Sequence, residues 1–475
     1  MLSLHGVNEM SFTSIWFLPF LAIIFILYHS VPMRYRYIIL CLANGIFFMG
    51  WGIRCAITLF IITFITYVGG LVIDKTTHRK GMFITFLIIT TVVYLSFKFQ
   101  TMFTNLWRVL GISFYSLQAI GYLVDVYFKK TKAEKNILKY ASYISFFPTI
   151  ISGPIQRSTG LLMQIQNGTV FSYDLARSGA LMMLLGYFEK ILIADRIHIL
   201  IEPIFAEVYS QNGAALLFGC LMYGIELYAD FAGYSMIAIG ASRMLGFILE
   251  DNFRQPYFSI SIRDFWRRWH ISLSTWLRDY VYIPLGGNRK GTVRKYINLM
   301  VTFLISGIWH GNGFKYIAWG LLHGLYQVAG SVKATLFHQK AENKSITNII
   351  IKTIKCLFTF ILVQFGWIFF RADSLKDVFV ICKRIICDLH LSDTLLNRKY
   401  LAGYDMTRFI ILIAEIIILF VIDLLREKNI SLIRFLEKRH VIFRWSFYIL
   451  VTTIVLIGAI YNYGIDSSTF IYAQF

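Results

Sequence analysis

Long apolar segments recur along the sequence, and they constrain its fold more than any other feature. Within the first 128 residues, five such segments cover residues 14–31, 37–50, 53–73, 82–97 and 109–128. A helix of about 20 residues crosses the hydrocarbon core of a bilayer, so each segment can span or nearly span a membrane. With 57% hydrophobic and only 15% charged residues, a soluble protein would have to bury too much apolar surface. The sequence therefore predicts an all-α polytopic membrane protein.

Basic residues between the apolar segments predict the topology. Three clusters are each separated from the next by two spans, and they contain Arg34 and Arg36, then Lys75, Arg79 and Lys80, then Lys129, Lys130, Lys132, Lys135 and Lys139. Cytoplasmic loops carry an excess of lysine and arginine, which places all three clusters inside and the N-terminus outside. Because the net charge of +20 is spread over such loops, we expect no nucleic-acid partner.

Two further features exclude other interpretations of the chain. The first apolar segment lacks a small-residue cleavage site, so we expect it to remain as a span and not to be removed as a signal peptide. The six cysteines are scattered and lack the paired spacings of a zinc site. The sequence therefore predicts no metal site.

Helix-breaking and charged residues interrupt the apolar pattern after residue 140. In YISFFPTIISGPIQR, Pro148, Gly153 and Pro154 argue against a plain span and predict either a re-entrant element facing a cavity or a helix–loop junction. Further on, the charged residues Glu189, Lys190, Asp195 and Arg196 lie at spacings that do not pair on an α-helix, so we expect solvated charges at an interfacial helix end.

Two carboxylates lie inside a later apolar run, from Leu216 to Phe247. Glu226 and Asp230 would be costly in lipid, so we expect both to face the interior of a helix bundle. They either pair with basic residues or take part in a cavity.

The region from Arg263 to His323 concentrates tryptophans, arginines and three of the ten histidines. On a helical wheel its first part places Phe265, Trp266, Trp269, Leu273, Trp276, Leu277 and Tyr280 within an arc of about 140°. Charged residues, including Arg267 and Arg278, fill the opposite arc. This pattern predicts one amphipathic helix along the membrane interface or in the bundle mouth, with His270 at the edge of its apolar face. His270 is then either functional or an interfacial histidine packed among tryptophans.

The second part of this region contains a turn and a short apolar run. YIPLGGNRK predicts a glycine turn, followed by a cytoplasmic basic cluster that meets phosphates of lipid or of a nucleotide-bearing donor. The apolar run 296–309 reaches about 21 Å as a helix, which is too short to cross a bilayer of about 30 Å. We therefore expect His310 within the membrane, as a general base or as a structural hydrogen-bonded histidine. The flanking Gly307, Gly311 and Gly313 would allow close approach of a helix or substrate.

Several stretches together resemble the membrane-bound O-acyltransferase family, in the branch of alginate O-acetylation membrane proteins. They are LGISFYSLQAIGYLVDVY, FFPTIISGPIQR, DFWRRWHISLSTWLRDYVYIPLGGNR, SGIWHG, WGLLHG, FGWIFFRA and the closing FIYAQF. The likeness begins at Met10, so we interpret residues 1–9 as an N-terminal extension. It implies one transmembrane domain over residues 1–475, with roughly eleven transmembrane helices and with re-entrant and interfacial helices around a central pore.

The resemblance also implies roles for individual residues. His310, in SGIWHG, matches the family's invariant histidine, which is taken as the catalytic base. His270, in WRRWHISLS, matches a second signature position that is Asn, Asp or His across the wider superfamily. We take residues 263–323 as the catalytic signature region. The candidates for contacting substrate or lining the cavity are His323, Trp309, Trp266, Arg267, Arg278 and Asp230.

The reaction that the resemblance implies is acyl transfer across a bacterial plasma membrane, without a bound cofactor. The donor is a cytoplasmic thioester, for which we expect acetyl-CoA, and the acceptor is an extracytoplasmic polysaccharide or a partner acetyltransferase. His310 would remove the acceptor's proton, while His270 orients a substrate or polarises the carbonyl. Because no nucleophile signature lies near His310, we expect no stable covalent intermediate. The longest outside segment, Arg371 to Thr407, is either a docking platform for the partner or a solvated loop.

Two alternative functions are open at this point. One is D-alanyl transfer to teichoic acid from a carrier-protein donor, against which YIPLGGNR and FIYAQF favour the acetylation branch. The other is a polymer or proton-coupled transporter in which histidines relay protons. No inverted repeat is apparent in the sequence, which argues against a transporter.

Overall fold

The computed structural model describes residues 10–99, 109–336, 346–389 and 405–462, and no β-strand occurs among them. These residues form nineteen α-helices, numbered here in chain order: α1 Phe17–Ser30, α2 Arg36–Met49, α3 Ile53–Lys75, α4 Arg79–Phe99, α5 Ile112–Tyr127, α6 Ile137–Ile144, α7 Met163–Asn167, α8 Tyr173–Tyr187, α9 Asp195–Ala206, α10 Gly213–Met244, α11 Ile262–Arg268, α12 Ile271–Leu277, α13 Thr292–His310, α14 Phe314–Leu336, α15 Ile346–Arg371, α16 Leu375–Cys387, α17 Met406–Glu427, α18 Leu432–Glu437 and α19 Val441–Asn462. Helices α1 to α5 match the five predicted apolar segments to within a few residues.

Five stretches are long and apolar enough to cross a membrane by length and composition. They are Ile53–Lys75, Arg79–Phe99, Gly213–Met244, Ile349–Arg371 and Val441–Ala459. Together with the many other apolar helices, they confirm the prediction of an all-α polytopic membrane protein. The predicted N-terminal extension and the closing FIYAQF lie outside the described residues.

The chain divides into two compact units. The first comprises Met1–Gly186 and Tyr234–Asp251, and the second comprises Tyr187–Gly233 and Asn252–Phe475. In the first unit, α3, α4 and α5 pack on one another. A Cβ added at Gly70 of α3 would lie 2.6 Å from the Tyr122 ring of α5, so glycine is required for this approach.

The basic clusters of the first unit lie at one end of its helices. Arg79 donates a hydrogen bond to the carbonyl of Val126 over 2.9 Å, and Lys139 Nζ lies 5.3 Å from the centre of the Tyr37 ring. The first contact joins the segments that carry the second and third clusters. The second contact joins the segments that carry the third and first clusters. The arrangement agrees with one common side for all three clusters.

The proline-containing stretch of the first unit is irregular and buried. Residues 146–156 form turns and irregular backbone, and all of them are buried. Asn44 binds this stretch, since its side chain donates to the Ser142 carbonyl over 3.2 Å and accepts from the Phe147 amide over 2.9 Å. The prediction that no plain span occurs here is confirmed, and protein atoms cover the irregular backbone as a membrane protein requires.

The prediction of solvated charges near residue 190 is wrong. Residues Phe188–Ala194 form a π-helix, in which residues five apart share a face, so Lys190 and Asp195 can pair. Lys190 Nζ lies 2.8 Å from Asp195 and 2.6 Å from Asp230, and all three side chains are buried. Arg196 pairs with Glu415 at 2.8 Å. The α-helical spacing used in the sequence prediction did not apply here.

The predicted burial of the α10 carboxylates is confirmed. Asp230 takes part in the ion pair with Lys190, and Glu226 binds His198 Nδ1 at 2.9 Å. Of the two alternatives for these carboxylates, the structure places both in pairs with basic side chains.

Helix α13 is longer than the apolar run that predicted it. It begins at Thr292 and ends at His310, which gives 19 residues and about 28 Å of length. The helix therefore includes Arg294 and Lys295. Its apolar part remains short, and α13 is not among the five described stretches that are long and apolar enough to cross a membrane. The expected close approach at Gly307 is confirmed, because a Cβ there would lie 2.3 Å from the Tyr316 carbonyl oxygen of α14.

Candidate functional site

The chain breaks its helix at His270. Helix α11 ends at Arg268 and α12 begins at Ile271, so the single amphipathic helix predicted from the wheel is wrong. His270 has a φ of 44°, in the left-handed region that few non-glycine residues adopt. Its side chain is fully buried by protein atoms. A wheel assumes a constant 100° per residue and contains no information about such a break.

The aromatic side of these two helices forms a core, as the wheel predicted. Phe265, Trp266, Trp269 and Trp276 are all buried. The Trp269 ring stacks on Phe265 with centroids 5.4 Å apart and lies 4.9 Å from Trp367 of α15. This packing holds the segment immediately before His270.

His270 contacts an amide, a phenyl ring and an indole. Its Nδ1 lies 3.1 Å from Asn252 Oδ1, and its ring meets Phe231 edge to face at 4.7 Å. The third contact is with Trp309, at a centroid distance of 5.9 Å. Trp309 therefore links His270 to the end of α13.

His310 is the last residue of α13 and is surrounded by aromatic rings. Trp309, Trp319 and Phe370 lie 4.8, 4.9 and 5.2 Å from its ring. The side chain is buried at 2% exposure. A buried imidazole among aromatic rings is suited to proton transfer with a bound hydroxyl, since burial limits the access of water.

His323 continues the same arrangement along α14. Its ring lies 4.8 Å from Trp319, and its Nδ1 accepts a hydrogen bond from Trp266 Nε1 over 3.2 Å. We call the five side chains that alternate in this way the histidine–tryptophan cluster; its members are His270, Trp309, His310, Trp319 and His323.

Three other candidates from the sequence are not members of this cluster. Asp230 is held by Lys190 in a buried ion pair. Arg267 and Arg278 are exposed, and Arg278 forms an ion pair with Asp279 at 2.7 Å. Among the described residues, no group of three or more potential ligands is placed to hold a metal ion.

Sequence reasoning missed three residues of the site. Trp319 and Phe370 lie in the quoted stretches WGLLHG and FGWIFFRA, but nothing in their spacing predicts contact with His310. Asn252 stands alone in a loop before α11, where no periodic pattern could identify it.

The described part of the expected outside segment begins with an amphipathic helix, α16. Its start is capped by Ser374 and Asp377, and Asp377 also accepts a hydrogen bond from Tyr209 over 2.7 Å. The Tyr209 hydrogen bond lowers the pKa of the Asp377 carboxyl below its ordinary value. Residues 390–404 of the predicted docking platform lie outside the described residues.

Comparisons with known proteins decide the family. Residues 132–368 match the model of the membrane-bound O-acyltransferase family. A probable alginate O-acetylase AlgI of Pseudomonas fluorescens is 36% identical over 411 residues, which cover 85% of this chain and 81% of the relative. The chain belongs to the membrane-bound O-acyltransferase family. It is therefore a multi-pass membrane acyltransferase, as the sequence resemblance implied.

Two further relatives of this acyltransferase match over shorter lengths. The peptidoglycan O-acetyltransferase of Helicobacter pylori is 35% identical over 303 residues, covering 58% of this chain and 56% of the relative. The teichoic acid D-alanyltransferase of Bacillus subtilis is 33% identical over 233 residues, covering 46% of this chain and 58% of the relative.

Proposed function

We propose that this acyltransferase transfers an acetyl group from a cytoplasmic thioester to hydroxyl groups of an extracytoplasmic polysaccharide. The observation that carries this proposal is that His270 and His310 both contact one indole, Trp309, at centroid distances of 5.9 and 4.8 Å, with both imidazoles buried. The extended match to an alginate O-acetylase supports a polysaccharide acceptor. The peptidoglycan O-acetyltransferase supports the same type of reaction.

In this proposal His310 is the general base. It removes the proton of the acceptor hydroxyl as the oxygen attacks the thioester carbonyl, and the thiol departs as the leaving group. His270 orients a substrate or donates to the carbonyl oxygen as negative charge develops there. The aromatic surround at Trp309, Trp319 and Phe370 excludes water, which would otherwise hydrolyse the thioester. His323, Trp266, Arg267 and Arg278 remain candidates for lining or entry of the cavity.

The donor and the topology complete the proposal. We expect acetyl-CoA to enter from the side of the basic loops. The excess of lysine and arginine assigns that side to the cytoplasm of a bacterium, with the N-terminus outside.

We further propose that the chain is one transmembrane domain with a central pore. An extracytoplasmic partner acetyltransferase would complete acetylation of the polymer, with α16 as part of its docking platform.

Replacing His310 tests the function. A strain carrying His310→Ala should lose nearly all O-acetyl groups from its surface polysaccharide, since loss of a general base typically costs about 10²- to 10⁴-fold in rate. The measurement is O-acetyl content by mass spectrometry, normalised to the amount of protein in the membrane. The matched control is His440→Ala, because His440 is exposed at the start of α19.

Two results would contradict the proposal. Normal acetylation in His310→Ala cells with intact protein levels would exclude this acyl-transfer mechanism. Loss of D-alanine from teichoic acid, with acetyl groups unchanged, would instead assign the function named for the Bacillus subtilis relative.

A further inference from the structure

We infer that Asn252 is a positioning residue that holds the His270 imidazole with its hydrogen on Nδ1 and its lone pair on Nε2. The inference rests on the proposed function, because it describes how one of the two proposed catalytic histidines is set for its role. Asn252 is buried at 1% exposure and precedes α11 by ten residues.

The orientation of the Asn252 amide is fixed by a backbone group. Its Oδ1 accepts from the Ser272 amide over 3.3 Å and from Ser272 Oγ over 2.9 Å. A backbone N–H can only donate, so the atom that faces it must be the amide oxygen and not the amide nitrogen. The two atoms of the side-chain amide are therefore not interchangeable here.

This orientation determines the tautomer of His270. The same Oδ1 lies 3.1 Å from His270 Nδ1. An amide oxygen carries no hydrogen, so Nδ1 must be the donor. In a neutral imidazole the other nitrogen, Nε2, then has the lone pair that can accept a proton or a hydrogen bond. Of the two roles proposed for His270, this tautomer supports orienting a substrate and not donating to the carbonyl oxygen.

Backbone contacts of the Asn252 segment brace the break in the helix. The Ile271 amide donates to the Asn252 carbonyl over 2.9 Å, and the Arg254 amide donates to the Arg268 carbonyl over 2.9 Å. The loop is thus bound on both sides of His270. A left-handed non-glycine residue persists only when its surroundings hold it, and these hydrogen bonds supply that restraint.

His323 has the opposite arrangement in the same unit. Its Nδ1 lies 3.2 Å from Trp266 Nε1, and an indole nitrogen can only donate. His323 Nδ1 must therefore accept, which places the hydrogen of the neutral ring on Nε2. The two buried histidines carry opposite tautomers, so His323 is an internal control for His270.

Nuclear magnetic resonance of the full chain reads the tautomers directly. The protein is labelled with ¹⁵N-histidine, placed in lipid bilayers, and assigned with His270→Gln and His323→Gln variants. We expect His270 to carry hydrogen on Nδ1 and His323 to carry it on Nε2. In Asn252→Leu, His270 should lose its preference for hydrogen on Nδ1, while His323 should keep its hydrogen on Nε2. Hydrogen on Nε2 of His270, or an unchanged His270 signal in Asn252→Leu, would overturn the inference.

Kinetics supply the second test, with radiolabelled acetyl-CoA and native membranes that contain the polymer. Asn252→Leu should lower kcat per folded protein by about 10- to 100-fold, as loss of an orienting partner does elsewhere, with KM for acetyl-CoA changed less than about twofold. Asn252→Asp retains the acceptor oxygen and should restore most of the activity. The matched control is Asn44→Leu, a buried asparagine that binds Ser142 and Phe147. This variant should lower the amount of folded protein without changing kcat.

The outcomes separate this inference from the proposed function. An active His270→Ala enzyme would remove the proposed role of His270 and the inference with it. An inactive His270→Ala enzyme together with wild-type kcat in Asn252→Leu would overturn the role of Asn252 alone. Equal losses of kcat in Asn252→Leu and Asn44→Leu would assign Asn252 to folding only.

Discussion

At the scale of single residues, Lys190 is the buried cation on which two carboxylates converge. Its Nζ lies 2.8 Å from Asp195 and 2.6 Å from Asp230, and none of the three side chains exceeds 5% exposure. Charges in such a position are stable only with partners of opposite sign. The ion pairs thus tie the segment after α8 to the middle of α10.

Replacing Lys190 by methionine should destabilise the protein strongly. The substitution keeps the side-chain volume but removes the cation that the two carboxylates share, and breaking a buried pair costs about 3–5 kcal/mol. Thermal unfolding in detergent measures this loss. Lys130→Met is the matched control, because Lys130 is half exposed and pairs with Asp125 at 3.5 Å; we expect about 0–1 kcal/mol there. Equal effects of the two substitutions would contradict the structural role of Lys190.

At the scale of elements, the crossing of α13 and α14 sets the position of His310. Gly307 and Gly320 face each other there, and a Cβ at Gly320 would lie 2.5 Å from the Phe303 carbonyl oxygen. Small residues at such a crossing allow two backbones to approach. Three residues after Gly307, α13 ends at His310, so the crossing controls where the imidazole lies.

Gly307→Ala should therefore lower both stability and activity. The added methyl group meets backbone atoms that cannot rotate away, and overpacking of this kind costs about 1–3 kcal/mol. Thermal unfolding and acetyl transfer from labelled acetyl-CoA are the measurements. Gly330→Ala on α14 is the control, since nothing lies within 4 Å of its added Cβ; a helix propensity gain of up to about 1 kcal/mol is expected. A Gly307→Ala enzyme as stable and active as Gly330→Ala would refute close packing at this crossing.

The sequence predicted elements well where one rule of periodicity applied along the whole segment. Helices α1 to α5 followed from apolar runs of about the length of a membrane span. The predictions failed where the backbone changed its period, at the π-helix Phe188–Ala194 and at the left-handed His270. The residue pattern made His270 and His310 candidates and the family resemblance supported them, but the contacts of Asn252 and Trp319 came to light only in the tertiary structure.

At the scale of the whole molecule, the proposed topology makes a prediction about chemical access. Cys387 at the end of α16 is exposed and belongs to the predicted outside segment, whereas Lys80 is exposed in the second basic cluster. With the other cysteines replaced by alanine, a membrane-impermeant maleimide should label Cys387 in intact cells. It should label Lys80→Cys, in a chain without Cys387, only after lysis. The reverse pattern would invert the proposed topology.

The left-handed backbone at His270 has a consequence for which residue types can stand there. Apart from glycine, the side chains that adopt this conformation most readily are asparagine, aspartate and histidine. These are the three types that the family resemblance gives for the second signature position. The backbone geometry thus restricts this position to a few residue types, and the side chain of each of these types can form hydrogen bonds with a substrate.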